Sequence, residues 1–305
     1  MSEYHVSVLL DESIDNLKIR PEGTYVDATF GAGGHSKSIL GKLNAKGHLY
    51  AFDQDQDAWG NALHDERFSL IDANFRYLRR FLRLEGVTAV DGILADLGVS
   101  SYQLDMPERG FSYRFDAPLD MRMNAESDLT AAKLLQSYSE TALVNILSNY
   151  GEVRNAKTLA AALIQARKLS EIRTTFDLNR VLDLHAMGHK LKYYSQVYQA
   201  LRMEVNDEIG ALQDLLVEGA KLLKPGGRFV VITFHSIEDR VVKNYFKSGN
   251  FTGEVEKDDF GNIYRPFIHV HKKVIMATAT EQKVNVRSRS AKLRVVEKSS
   301  DLTAS

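Results

Sequence analysis

Tyr25-Val26-Asp27-Ala28-Thr29-Phe30-Gly31-Ala32-Gly33-Gly34-His35 is the stretch on which the fold turns. A short β-rich run ends in a glycine cluster, and residues 36–43 behind it read as a helix. A glycine-rich turn between strand and helix lets backbone approach a ligand and presents helix N-terminal N–H groups. Residues 48–53 form the next strand pattern, and Asp53 closes it, 22 residues after Gly31. An acidic side chain there can accept hydrogen bonds from both ribose hydroxyls of a nucleotide-like ligand. A glycine cluster alone is equally well a tight turn. With Asp53 at this spacing, the pattern favours an adenosine-type ligand.

Working outward, further strand patterns fall at residues 67–71 and 90–97, and helices from about residue 57 and over 77–84. Strands alternating with helices at this spacing predict βαβ units, a parallel sheet and right-handed crossovers. Residues 102–123 then read as loop, with Pro107, Gly110 and Pro118. Residues 130–223 are helical, with apolar stripes such as Leu143, Ile146, Leu147, Tyr150 and Leu159, Ala162, Leu163, Ala166. A helix stops at Lys224-Pro225-Gly226-Gly227, and residues 228–234 form a buried-strand run. Later strands are expected over 266–276 and 291–297. The expectation is an α/β fold with a Rossmann-like, mostly parallel sheet in two pieces, residues 1–102 and 206–298. A helical insertion, residues 103–205, interrupts it, and the polar tail 299–305 is expected to be disordered.

Bulk composition restricts the function classes. The chain has 305 residues, 44% of them hydrophobic, enough for a full core. Lys plus Arg is 39 and Asp plus Glu is 40, so any basic footprint for nucleic acid must be local. There is no cysteine, which excludes disulfides, thiolate nucleophiles and Cys-ligated zinc. The first ten residues lack the form of a signal peptide, and no apolar run approaches the roughly 18 to 20 residues that span a bilayer. A cytoplasmic protein without a membrane partner is expected.

Three details separate S-adenosylmethionine from a nicotinamide cofactor. The loop is Gly-x-Gly-Gly, preceded by Asp27, and lacks the third glycine of a dinucleotide site. Asp96-Leu97-Gly98 ends the fourth strand, where α/β sheets place their chemistry. Leu223-Lys224-Pro225-Gly226-Gly227 resembles the turn before the fifth strand of class I methyltransferases. An NAD-dependent oxidoreductase is the alternative that these details disfavour. A non-catalytic RNA-binding assembly factor that retains the fold is a third. Phe75 can lie against an adenine or pack in the core, and the Gln103 amide can bond a ligand from either end. Ser236 with Asp239 reads as a capping-box-like helix start. His269 and His271 are expected on one strand face, and His185 and His189 on one helix face. Neither pair has an evident third ligand, so no metal is expected. Without a Gly-x-Ser-x-Gly elbow, Ser100-Ser101 is not a hydrolase nucleophile.

Several segments together carry a family resemblance. They are Asp27 to Ser36, Ala95-Asp96-Leu97-Gly98-Val99-Ser100-Ser101 with Gln103-Leu104-Asp105, Arg109-Gly110-Phe111-Ser112, and Pro118-Leu119-Asp120-Met121-Arg122-Met123. Tyr150-Gly151-Glu152, Gln199-Ala200-Leu201-Arg202, Phe234-His235-Ser236-Ile237-Glu238-Asp239-Arg240 and Arg287-Ser288-Arg289-Ser290-Ala291-Lys292-Leu293-Arg294 complete the series. In this order they resemble the bacterial ribosomal RNA small-subunit methyltransferase H family (RsmH, also called MraW), from about His5 to Glu297. The resemblance implies a class I methyltransferase fold and methylation of the exocyclic 4-amino group of a cytidine in the decoding region of 16S rRNA. It puts cofactor contacts on Gly33, Gly34, His35, Asp53, Phe75, Asp96 and Gln103, to which the loop reading adds Gly31. Asp96 is also the candidate catalytic acceptor. The chain departs from the family at Gln196, where a basic residue is usual, at Val286 in place of Pro, and at Asn124 in place of Asp.

Local charge suggests where RNA would bind. Arg167, Lys168, Arg173, Arg180, Lys190, Lys192 and Arg202 face only Glu171, Asp177 and Asp183 over that stretch, with Tyr193, Tyr194 and Tyr198 available to stack on bases. Between Lys283 and Lys298 six basic residues face one acid, Glu297. A solvated helix face with core tyrosines gives the same pattern. The candidate RNA contacts are Arg109, Arg202, His235, Arg287, Arg289, Lys292 and Arg294. The partner implied is 16S rRNA or the small subunit, and a homodimer stays open.

Overall fold

The structure is a computed structural model, and it describes residues 7–255 and 265–300. The chain divides into two compact units, residues 1–98 with 210–305, and residues 99–209. The edges lie a few residues outside those expected, at Gly98/Val99 and Ile209/Gly210. The tail expectation falls largely on 301–305, outside the described residues.

The first unit holds the sheet. Its strands are β1 (Thr24–Asp27), β2 (His48–Asp53), β3 (Phe68–Asp72), β4 (Val90–Asp96), β5 (Leu223–Thr233), β6 (Phe267–His269), β7 (Ile275–Met276) and β8 (Lys292–Lys298). Their order is β3-β2-β1-β4-β5-β8-β6, with β7 also on β8. The first five are mutually parallel, while β6, β7 and β8 pair antiparallel. This is the mostly parallel sheet expected. Period-2 alternation sends successive residues to opposite faces. Ile93, Ala95, Phe229 and Val231 join one core with Leu78 and Leu82 of α3 (Leu78–Leu84), Leu212 and Leu216 of α10 (Glu208–Leu222) and Val242 of α11 (Ser236–Ser248). Tyr25, Leu94, Val230 and Ile232 face the other way, against Ile14 of α1 (Leu10–Asn16) and Ile39 of α2 (Gly34–Leu40). Strand order reverses between β1 and β4, the kind of switch point beyond whose carboxyl ends α/β sheets place their ligands.

Several elements differ from expectation. The helix from about residue 57 is a 3₁₀ turn over Gln56–Asn61, started by Asp55 accepting from the Asp57 N–H. β5 begins at Leu223, upstream of Pro225-Gly226-Gly227, and its pairing with β4 shifts between Val90 and Gly92. Proline and glycine interrupt the register without ending the strand. The single strand expected over 266–276 is two short ones, so His269 ends β6 and His271 lies beyond it, bonding Asn16.

The second unit is helical: α4 (Ser101–Asp105), α5 (Ala131–Ser137), α6 (Glu140–Asn149), α7 (Ala156–Leu169), α8 (Thr175–His185) and α9 (Lys190–Val205). The predicted stripes bury Leu143, Ile146, Leu147, Leu159 and Leu163 in one core. Tyr193, Tyr194 and Tyr198 are buried there too, at 2%, 4% and 4% exposure, so they do not offer rings for stacking on bases. Their hydroxyls are engaged, by Asn155, Asp183 and Asn179 respectively. His185 ends α8 and His189 starts α9, so that pair shares no helix face.

Candidate active site

The glycine loop follows β1. Gly31 and Gly33 have φ of 53° and 76°, and the Gly33 N–H donates to the Phe30 carbonyl at 2.8 Å. Gly33 is strained for any side chain, since a Cβ would also meet the Phe30 ring at 3.0 Å. A Cβ on Gly34 would lie 2.1 Å from Ser7 Oγ. At Gly31 a Cβ would meet nothing within 4 Å, so that side of the loop is open.

Asp53 at the end of β2 ties the loop down. Its Oδ2 accepts from the Gly31 N–H at 2.8 Å and its Oδ1 from the Asp55 N–H at 2.9 Å. Asn61 Nδ2 donates to the Gly31 carbonyl at 3.1 Å. Burial still pushes the Asp53 carboxyl up to about 6. Asn74 Nδ2 donates to Gln54 Oε1 at 3.0 Å, which holds the turn bearing Phe75 beside this strand end. Phe75 is partly buried against the sheet core, so both the packing and the ligand-facing readings draw on it.

Beneath the loop lies a group of acids. Asp27 is wholly buried and accepts from Ser36 Oγ at 2.7 Å and the Thr29 N–H at 3.1 Å. Burial pushes it up to about 7 despite those bonds. Asp96 ends β4, and its N–H donates to Thr29 Oγ1 at 2.7 Å. Its carboxyl is raised well above the usual range, first by burial, then by Asp27 and Glu238. Among the described residues, Oδ1 of Asp96 is buried without a partner, as is Nε2 of His35. His35 Nδ1 stands 3.8 Å from Asp96 Oδ2, too far for a hydrogen bond. Burial brings its imidazole down to about 4, so it is neutral at pH 7.

The first unit thus brings Gly31, Gly33, Gly34, His35, Asp53, Phe75 and Asp96 to one end of the sheet. Gln103 belongs to the second unit, where it closes the capping box of α4: its N–H donates to Ser100 Oγ and its Oε1 accepts from the Ser100 N–H. Glu238, quoted in the sequence only as part of a family segment, is buried at the start of α11. The start of α11 was expected at Ser236 with Asp239. In the structure His235 is the N-cap and accepts from the Glu238 N–H, while Glu238 Oε2 accepts from the Phe234 N–H at 3.1 Å. Asp239 is taken by Arg294 and Lys292.

The candidate RNA residues are mostly engaged within their own units. Arg109 donates to the carbonyls of Arg122 and Met123. Arg202 forms a two-point pair with Glu208 at 2.7 and 2.9 Å. His235 caps a helix and lies 3.0 Å from Glu238 Oε1. Lys292 and Arg294 hold Asp239, and Arg287 is half-buried in a 3₁₀ turn started by Asn285. Arg289 alone of the seven is exposed. In the insertion, Arg173, Arg180 and Lys190 pair with Glu171, Asp177 and Asp183, and Arg167 caps the carbonyls of Leu135 and Tyr138. Lys168 and Lys192 stay exposed. Of the family departures, Asn124 Oδ1 accepts from the Glu126 N–H at 2.8 Å, a bond an aspartate would also make.

A parallel sheet reversing at β1 and β4, a glycine loop clamped by an acid on β2 and an acid ending β4 define the class I methyltransferase arrangement. The chain belongs to the MraW methylase family, which it matches over residues 2–299. It is 53% identical over 296 residues to the ribosomal RNA small subunit methyltransferase H of Phocaeicola vulgatus, covering 97% of each chain. To the protein of that name from Cytophaga hutchinsonii it is 55% identical over 298 residues, covering 97% of this chain and 99% of that one. A solved rRNA methylase from Streptococcus thermophilus is 14% identical with a TM-score of 0.39, over 95% of this chain and 93% of that one.

Proposed function

We propose that this chain transfers the methyl group of S-adenosylmethionine to the exocyclic 4-amino group of a cytidine in the decoding region of 16S rRNA, in the cytoplasm. The observation that carries this reading is the end-to-end identity above half with relatives named for small-subunit rRNA methylation. The first unit fits the cofactor. An open loop edge at Gly31, an acid at Asp53 for the ribose, and buried unpartnered atoms on His35 and Asp96 are what an adenosine ligand with a cationic end needs.

When bound, the cofactor supplies a methyl carbon already activated by the sulfonium. The protein's task is to align the amine with that carbon, exclude water and receive a proton. A cytosine amino nitrogen is a weak nucleophile because its lone pair is delocalised into the ring. An acceptor for one amino proton localises the lone pair and takes up developing positive charge. Asp96 Oδ1 is the acceptor we assign, and the same carboxylate can hold the cofactor's cationic end. The target base must leave its stack to reach it. We assign the helical insertion and the exposed cations Lys168, Lys192 and Arg289 to RNA contact. A methylation assay with labelled S-adenosylmethionine and small subunits from a strain lacking the gene tests the reading. Label on a cytidine amino group of 16S rRNA is expected; RNA that stays unlabelled would sink it.

A further inference from the structure

Ser7-Val8-Leu9, just ahead of α1, sits against the cofactor loop where α2 begins. Ser7 leaves no room for a side chain at Gly34, since a Cβ there would lie 2.1 Å from its Oγ. The Val8 backbone and the His35 ring are hydrogen-bonded. Val8 and Leu9 are buried in one core with Ile39 and Leu40, farther along α2. The backbone of this strap is strained where it turns into α1, because Leu9 has φ 51° and ψ 39°. A side chain disfavours that left-handed conformation, which persists only where the surroundings hold it. The holding group comes from far along the chain. Helix α1 has no side-chain cap of its own, and the Leu9 N–H donates to Glu281 Oε1 at 2.8 Å, across 272 positions of sequence.

Glu281 is half-buried in the first turn of α12 (Ala279–Val284). That helix is itself fixed. Thr278 Oγ1 accepts from the Glu281 N–H at 3.2 Å, and Gln282 Nε2 donates to the Ala277 carbonyl at 2.9 Å. Ala277 is buried in the same core as Val8 and Leu9. All of these residues belong to the first unit. We propose that Glu281 is a positioning residue for the cofactor. By holding Leu9 in its left-handed turn, it keeps Ser7 and Val8 seated against Gly34 and His35, so the loop is presented ready to bind S-adenosylmethionine. This rests on the cofactor reading above and adds a residue that acts on the loop through Leu9. A carboxylate that accepts from a backbone N–H makes one of the stronger hydrogen bonds. Without it Leu9 relaxes and the strap loosens from Gly34 and His35. Binding must then order the loop as well as the ligand, which lowers affinity. The amine and its acceptor are untouched, so the loss falls on cofactor binding and not on methyl transfer.

Full-length Glu281→Ala and Glu281→Gln, titrated with S-adenosylmethionine and assayed on small subunits from a strain lacking the gene, test this. Glu281→Ala should raise Kd and KM for S-adenosylmethionine by roughly threefold to tenfold. KM for the subunit, and turnover at saturating cofactor, should stay within about twofold. Glu281→Gln keeps an oxygen acceptor for the Leu9 N–H and should recover most of the affinity. In the wild type, hydrogen exchange over residues 7–9 and 33–35 should slow together when S-adenosylmethionine binds. A Glu281→Ala protein that melts at lower temperature yet binds S-adenosylmethionine as tightly as its parent overturns the proposal, since Glu281 would then be a helix cap alone. Turnover lost at saturating cofactor with affinity unchanged overturns it too, as does wild-type exchange over residues 7–9 that ignores the cofactor. Should Glu281→Ala fail to fold, the wild-type exchange decides. No binding of S-adenosylmethionine by the wild type overturns the cofactor reading instead.

Discussion

Asp27 is held out of water with only Ser36 and Thr29 to share its charge, and this has a measurable consequence. An acid raised in the folded state from 3.8 to about 7 adds stability that is complete below 3.8 and is lost as pH rises toward 7. Thermal melts of the protein and of Asp27→Asn, compared from pH 4 to 8, should show the variant gaining on the parent up to about 7 and level above it. The gain is on the order of a few kcal/mol. A difference independent of pH would mean that Asp27 is ionised throughout. His35 works in the opposite sense, since its neutral form stabilises fully above 6.5 and less as pH falls toward 4. At the same scale, Asp96→Asn keeps the shape but removes the charge. It should weaken S-adenosylmethionine binding and lower turnover, each by about tenfold or more. A variant that retained both would remove Asp96 from cofactor and substrate alike. Gly31 to Gly34, Asp53 and Asp96 were legible in the sequence because backbone freedom and charge leave local signatures. The cap that Glu238 makes with His235 and Phe234 was not, because Asp239 offers the same chemistry one residue on.

The elements show where pattern and packing part company. Period-2 and 3.6-residue spacings located the parallel strands and the insertion helices, since those spacings are set by burial itself. They failed where several groups compete for one role. Ser236 and His235 both suit an N-cap, and the choice fell to His235 because Glu238, not Asp239, sits where it can reach back to the Phe234 N–H. His235→Ala should therefore cost about 1 kcal/mol of stability in chemical denaturation, with an unchanged denaturant slope. An unchanged midpoint would show that the cap contributes nothing. The tyrosines of α9 misled for a related reason. An aromatic residue amid basic ones looks the same in sequence whether it stacks on a base or fills a core, and burial of all three decides for the core. In the same way, most of the basic residues proved to be committed to nearby acids or carbonyls, which charge counts along the chain do not reveal.

For the molecule as a whole, the sequence changes rhythm near residues 100 and 205, and the structure divides at Gly98/Val99 and Ile209/Gly210. The RNA-facing surface was not readable, because formal charge is balanced overall and paired locally. If exposed cations engage phosphates, Arg289→Glu and Lys192→Glu should weaken binding to a 16S rRNA fragment and lower its salt slope by about one per site, with melting unchanged. Arg202→Ala should act differently, destabilising the protein by leaving Glu208 unpaired. Charge reversals that leave binding untouched would move the RNA surface elsewhere. The central claim is methyl transfer to a cytidine amine of small-subunit rRNA. Purified protein, labelled S-adenosylmethionine and small subunits from a strain lacking the gene test it, with the labelled nucleoside mapped. The account predicts label on one 4-amino cytidine of 16S rRNA; RNA that stays unlabelled, with the cofactor bound, would contradict it.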